Sequence, residues 1–128
     1  MLEQAIYNEI KNDATLANKV KDGAIYHIYP LRVPDNTQFT KALVYAEITQ
    51  NLVYPLARTS IMQINCIAST FDDAVDLAKD VDRIFNDKAE YSMGGQLAVN
   101  YTKFNGRNTL YDPEARMYVI GVEIKIKF

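Results

Sequence analysis

The 128 residues contain no tryptophan, one cysteine and one histidine, with only five glycines and four prolines. Each scarcity removes a class of function. A lone thiol, Cys66, closes no internal disulfide, so a disulfide-stapled secreted scaffold is excluded and a reducing compartment is the simpler setting. A lone imidazole, His27, supplies no second histidine for a metal site. The adjacent pair Gly94-Gly95 lacks the lysine and following helix of a phosphate-binding loop and reads as a turn before a strand. No apolar stretch approaches the roughly 18 residues of a membrane span. The opening "MLEQAIYNEIKND" is too polar for a secretory segment, so the chain reads as soluble and intracellular. Without export, the sequon Asn100-Tyr101-Thr102 is a chance tripeptide. Fourteen basic against sixteen acidic residues, net −2, give no cationic excess for a protein whose main task is holding nucleic acid.

What is present is a well-patterned single domain, expected to span 1–128. Leu2, Ala5, Ile6 and Ile10 share one helical face. A second short helix follows, with Thr15 as its expected cap and Asp22-Gly23 as its stop. "AIYHIY" (24–29) predicts a short strand ended by Pro30, and "PLRVPDNTQFTK" (30–41) a long loop. "ALVYAEIT" (42–49) alternates as a strand, and Pro55 makes the following segment a turn or a strand edge. In "IMQINCIASTFDDAVDLAKDV" the period changes from two to between three and four. Met62, Ile64, Cys66 and Ala68 form one strand face, then Thr70 caps a helix with Asp73 at its third position. That helix, about 71–86, carries Phe71, Ala74, Val75, Ala78, Val81, Ile84 and Phe85 as its apolar stripe. Residues 97–102 alternate, Asn105-Gly106 predicts a hairpin turn that Asp112-Pro113 could lengthen, and 117–128 alternate to the end.

The expected order is α-α-β-β-β-α-β-β. Short connections imply an α+β fold, a mainly antiparallel β-sheet with amphipathic helices packed on one face.

Few groups carry chemistry. His27 has neither a carboxylate nor a nucleophile beside it in sequence, and Cys66 shares a strand face with Met62 and Ile64, where a thiol is a small hydrophobe. The helix acids Asp72, Asp73, Asp76, Asp80, Asp82 and Asp87 lack the glycine-centred loop of a calcium site. Spaced three or four from Lys79 and Arg83, they read as a solvated ion-paired face, with a negatively charged docking surface as the functional alternative. No catalytic residue, metal site or cofactor is expected, and the chain does not read as an enzyme. Nine tyrosines without tryptophan favour contact surfaces that are apolar on one side and wet on the other.

The order of these elements, with "IYHIYPLRVP" and "ARTSIMQINCIASTFDDAVDLAKDVDRIF", resembles the small tail-completion (tail-terminator, head-to-tail joining) proteins of long-tailed bacteriophages and prophages. Arg58 through Cys66 matches that family's pattern of an arginine, four residues, Gln-[Ile/Val], one residue and Cys, Val or Trp. The resemblance implies a ring, a hexamer, at the head-proximal end of the tail, assembled in the bacterial host cytoplasm and carried in the virion tail. Its implied partners are further copies of itself, the tail tube protein and the head-tail connector. Genomic DNA would pass through its lumen without sequence recognition, and no membrane is involved. A closed ring needs two different surfaces per subunit, expected in 30–41, 50–58 and 104–116. Arg32, Tyr54, Arg58, Arg107, Tyr111 and Arg116 are the expected partner-binding anchors, since arginine and tyrosine dominate interface hot spots. The competing reading is a small-molecule-binding or regulatory oligomer with a pocket between sheet and helix.

Overall fold

The computed structural model describes residues 2–53 and 57–128. Helices α1 (Leu2–Asn12) and α2 (Ala14–Lys19) come first. A two-stranded ribbon follows, β1 (Lys21–Asp22) with β2 (Ile25–Tyr26), turning at Gly23 with φ +62°. The main sheet holds β3 (Ile28–Pro30), β4 (Lys41–Val53), β5 (Ala57–Ala68), β6 (Lys88–Met93), β7 (Leu97–Asp112) and β8 (Met117–Lys127). Helix α3 (Phe71–Phe85) crosses from β5 to β6. The strand order is β3-β4-β5-β8-β7-β6, antiparallel throughout except that β3 runs parallel to β4. The fold class is therefore the expected α+β.

Alternation along β5 and β8 decides which face is covered. Met62, Ile64, Cys66 and Ala68 stand beside Ile120, Val122, Ile124 and Ile126, all buried, and α3 lies across both strands. α3 lays down Ala74, Leu77, Ala78, Val81, Ile84 and Phe85. Leu77 completes an apolar stripe that the sequence reading had drawn without it. Thr70 caps α3 as its spacing demanded, its hydroxyl accepting from the Asp73 N–H at 3.2 Å. α1 adds Leu2, Ala5, Ile6 and Ile10 to the same core.

Several expectations are corrected. Asp13, not Thr15, caps α2: its carboxylate accepts from the Leu16 N–H at 3.0 Å, which puts Thr15 inside the first turn. The stretch 24–29 is two strands rather than one, because His27 leaves the ribbon and lends its carbonyl to the Leu43 N–H. Asn105-Gly106 is not a hairpin turn. β7 runs through it, with a bulge between Phe104 and Gly106. The chain reverses at 113–116 instead, where the Asp112 carboxylate accepts from the Glu114 and Ala115 N–H groups. A 16-residue strand with a bulge outcompetes a local turn signal because every register position on β8 is filled.

Candidate assembly surface

The described parts of the three expected contact segments fall at two ends of the sheet. Loop 31–40 leaves β3 through Leu31, at φ 66° with its N–H on the Tyr45 carbonyl, and folds over the face opposite the helices. Beneath it Ala42 and Val44 are buried. The 112–117 turn meets this loop across a cleft of about 320 Å³ floored by Val44, Asn65, Ile67 and Val119. Arg32 lies on one rim and Ala115 on the other.

Of the expected anchors, Arg32, Arg107, Tyr111 and Arg116 are exposed; Arg32, Tyr111 and Arg116 stand at this end, and Arg107 lies farther along β7, opposite Val122 in the middle of β8. Arg32 reaches Asp35 at 3.5 Å. Arg116 takes φ 56° in the turn itself. Arg58 is exposed too, but lies at the opposite end beside Phe128, to which its backbone is bonded. Tyr54 lies outside the described residues. The five described anchors therefore do not form one patch.

Beside the first group is an aromatic run that the sequence reading had assigned partly to the core. The Tyr111 and Tyr118 rings lie 4.8 Å apart between centroids, and Tyr118 meets Phe71 edge-on at 5.8 Å. Phe71 and Tyr111 are each 47% exposed and Leu110 53%. Phe71 opens α3 and stays half exposed, its ring covering Tyr118 of β8 instead of entering the core. Its place directly after the cap was the signal available in the sequence.

The acidic face of α3 is less free than a solvated surface would be. Asp80 is buried and pairs with Lys19 of α2 and with Arg83. Asp76 also binds Lys19, at 2.8 Å. The Asp80–Arg83 pair lies along α3 as its spacing suggests, and the Lys19 pairs add ties between helices that no spacing within α3 gives. Hydrogen bonds donated to Asp76 and Asp80 push Lys19 above its ordinary 10.5, and the same bond from Lys19 holds Asp76 below 3.8.

His27 is buried, with Nδ1 sharing a hydrogen bond with the Tyr29 hydroxyl at 2.7 Å. Its Nε2 has no hydrogen-bond partner among the described residues, and the Asp22 carboxylate stands 3.8 Å away. Cys66 is fully buried, and desolvation pushes its thiol far above the ordinary range. Among the described residues no three His, Cys, Asp or Glu side chains are placed to hold a metal ion, and no helix is long and apolar enough to cross a membrane.

No protein-family model and no curated protein matches the chain. Among solved structures, a chain from the virion of a native gene transfer agent particle has a similar fold. The TM-score is 0.72 at 17% sequence identity, over 97% of this chain and 92% of that one.

Proposed function

We propose that this chain is a structural component of a phage-like virion that completes the head-proximal end of a tail. Copies form a ring, a hexamer, that ends tube polymerisation and offers its other side to the head connector. The observation that carries this reading is the similarity of fold, nearly end to end, to a chain of a gene transfer agent virion. The exposed surface agrees with it in kind. Among the described residues, exposed Arg32, Tyr111 and Arg116 lie toward one end of the sheet and Arg58 toward the other, where two partners on opposite sides would meet them. The deeply buried Cys66 and the tyrosine-bonded His27 point the same way, since neither is set out as an accessible catalytic group.

Electron microscopy of the purified protein mixed with tail tubes that lack their terminator tests the proposal. A ring on one end of each tube is the expected result. Bare ends at saturating protein would overturn it and favour the ligand-binding module. Tyr111→Ala and Arg116→Ala would identify the end of the sheet that meets the tube, by loss of capping without loss of folding.

A further inference from the structure

Two stretches of the main sheet have no neighbouring strand among the described residues. β6 accompanies β7 only to Thr102, so 103–112 is an open edge. β3 accompanies β4 only to Tyr45, so 46–53 is an open edge on the other side. The register shows which backbone groups these edges present. Arg58 and Phe128 exchange N–H···O bonds in both directions, at 2.7 and 2.9 Å. Bonded pairs therefore recur at every second residue between β5 and β8, through Met62–Ile124 to Cys66–Ile120. Leu52 stands opposite Arg58, and Thr109 opposite Ile120. Their own N–H and C=O groups must then point away from the sheet. Arg107 and Tyr111, two residues to either side of Thr109, point the same way. Phe104 does too, and its N–H has found the Asn86 side chain at 3.0 Å.

Open edges of this length are templates for another strand. Neither contains a proline, and every residue from 107 to 111 is exposed. We propose that the two edges pair with each other between copies of this chain, 46–53 of one copy adding antiparallel to 103–112 of the next. The inference rests on the ring reading above and names its subunit junction.

Three observations select this occupant. β4 and β7 run in opposite directions within one sheet, so a second copy added in the same sense brings them together antiparallel. The open stretches lie at opposite ends of the sheet, so joined copies are staggered by about six residues, roughly 20 Å along the strands. That stagger places β6 of one copy and β3 of the next at opposite ends of the junction, clear of each other. The charges differ in sign: residues 103–112 carry Lys103 and Arg107 against one acid, Asp112, whose carboxylate is taken up by the Glu114 and Ala115 N–H groups, and residues 46–53 carry Glu47 and no base. Pairing two β7 edges would bring the basic stretches together and leave both β4 edges open. Head-to-tail pairing in a closed ring leaves neither open.

Proline tests the junction without attacking the fold, because at an outward-facing position it removes only the donor that points away from the sheet. Full-length wild type, Thr109→Pro and Leu52→Pro are compared by sedimentation velocity from about 1 µM to about 1 mM, with circular dichroism to establish that each is folded. Wild type is expected to associate beyond a dimer, and each variant alone to stay monomeric. An equimolar mixture of the two is expected to form dimers and stop there, since each mixed pair has one competent junction. A monomeric wild type, a variant that associates like wild type, or dimers of Leu52→Pro alone would overturn the proposal. Capping of tubes by Thr109→Pro rings would remove the junction and leave tail completion standing. Edge-complementing association with bare tube ends would do the reverse.

Discussion

Arg83 of α3 grips Asp13, the residue that caps α2, with both terminal guanidinium nitrogens at 2.9 Å. One carboxylate thus caps a helix and ties it to another helix 70 residues away in sequence. The bidentate geometry fixes orientation as well as distance.

Replacing Asp13 removes both functions. Asp13→Ala is expected to lower stability by about 1–2 kcal/mol, the usual cost of a lost cap with a partly exposed ion pair added. Asp13→Asn keeps the capping oxygen and loses the charge, so it should cost less than half as much. Urea unfolding followed by circular dichroism separates the two, and equal losses would show that the ion pair, not the cap, dominates.

The same ties set the acid limb of stability. The Arg83 hydrogen bond holds Asp13 below its ordinary 3.8, and Lys19 does the same for Asp76. A carboxylate with a depressed folded value stabilises fully above its unfolded value, and that contribution disappears as pH falls through the folded one. Melting temperature should therefore hold from neutral pH down to about 4 and drop below it. The drop should be shallower in Asp13→Asn/Asp76→Asn, because the exposed Asp76 pair is screened by solvent and Asp13 carries most of the effect. On the alkaline side, burial pushes Tyr91 up to about 12. The unfolded chain ionises this phenol first, so stability should fall as pH rises past about 10. Thermal melts from pH 3 to 11 measure both limbs.

Gly94 is the glycine whose replacement should be felt most. Its φ is +60°, and an added Cβ would lie 2.6 Å from the Ala5 carbonyl oxygen and 2.9 Å from Asn8 Cβ. Its N–H also donates to Glu9 at 2.7 Å, which fastens the β6–β7 turn to α1. Gly94→Ala is expected to cost about 2–4 kcal/mol, from a left-handed backbone and a clash with main chain. Gly95→Ala, with φ +72° but open space around it, should cost about 1 kcal/mol. Similar melting temperatures for the two variants would contradict the close approach of α1.

Much of this architecture was legible because local patterns and global packing agree. The strand 61–68, the Thr70 cap and the α3 stripe each follow from period and cap chemistry, and the burial of Cys66 follows from its face. The α2 cap is a local miss, Asp13 standing two residues before Thr15, but the larger ones arise where long-range pairing adds to or overrides a local signal. Asn105-Gly106 is a strong turn dipeptide, yet it lies within a strand whose register with β8 is held on both sides of the bulge. Asp80 does pair with Arg83 as its spacing suggests, but it is buried rather than solvated because Lys19 reaches it from a helix 61 residues earlier, a contact that no spacing rule encodes. Residue type and expected loop position single out the anchors in the sequence. Their division between two ends of the sheet depends on strand order, which alternation alone does not give.

The Lys19–Asp80 pair supplies the most discriminating stability test. Asp80 is the more buried member, its side chain 12% exposed against 27% for Lys19. Removing the lysine leaves a buried carboxylate with Arg83, at 3.4 Å, as its remaining cation among the described residues. Lys19→Met should therefore destabilise by about 2–3 kcal/mol, somewhat below the cost of breaking a fully buried pair. Asp76→Asn, on the exposed side of the same lysine, should cost under about 1 kcal/mol. Removing both buried charges, Lys19→Met with Asp80→Leu, replaces desolvated polar groups by packing and should recover most of the loss. Measured by urea unfolding as a double-mutant cycle, a double variant less stable than Lys19→Met alone would mean that Asp80 is held chiefly by Arg83. The link between α2 and α3 would then run through the Asp13–Arg83 pair.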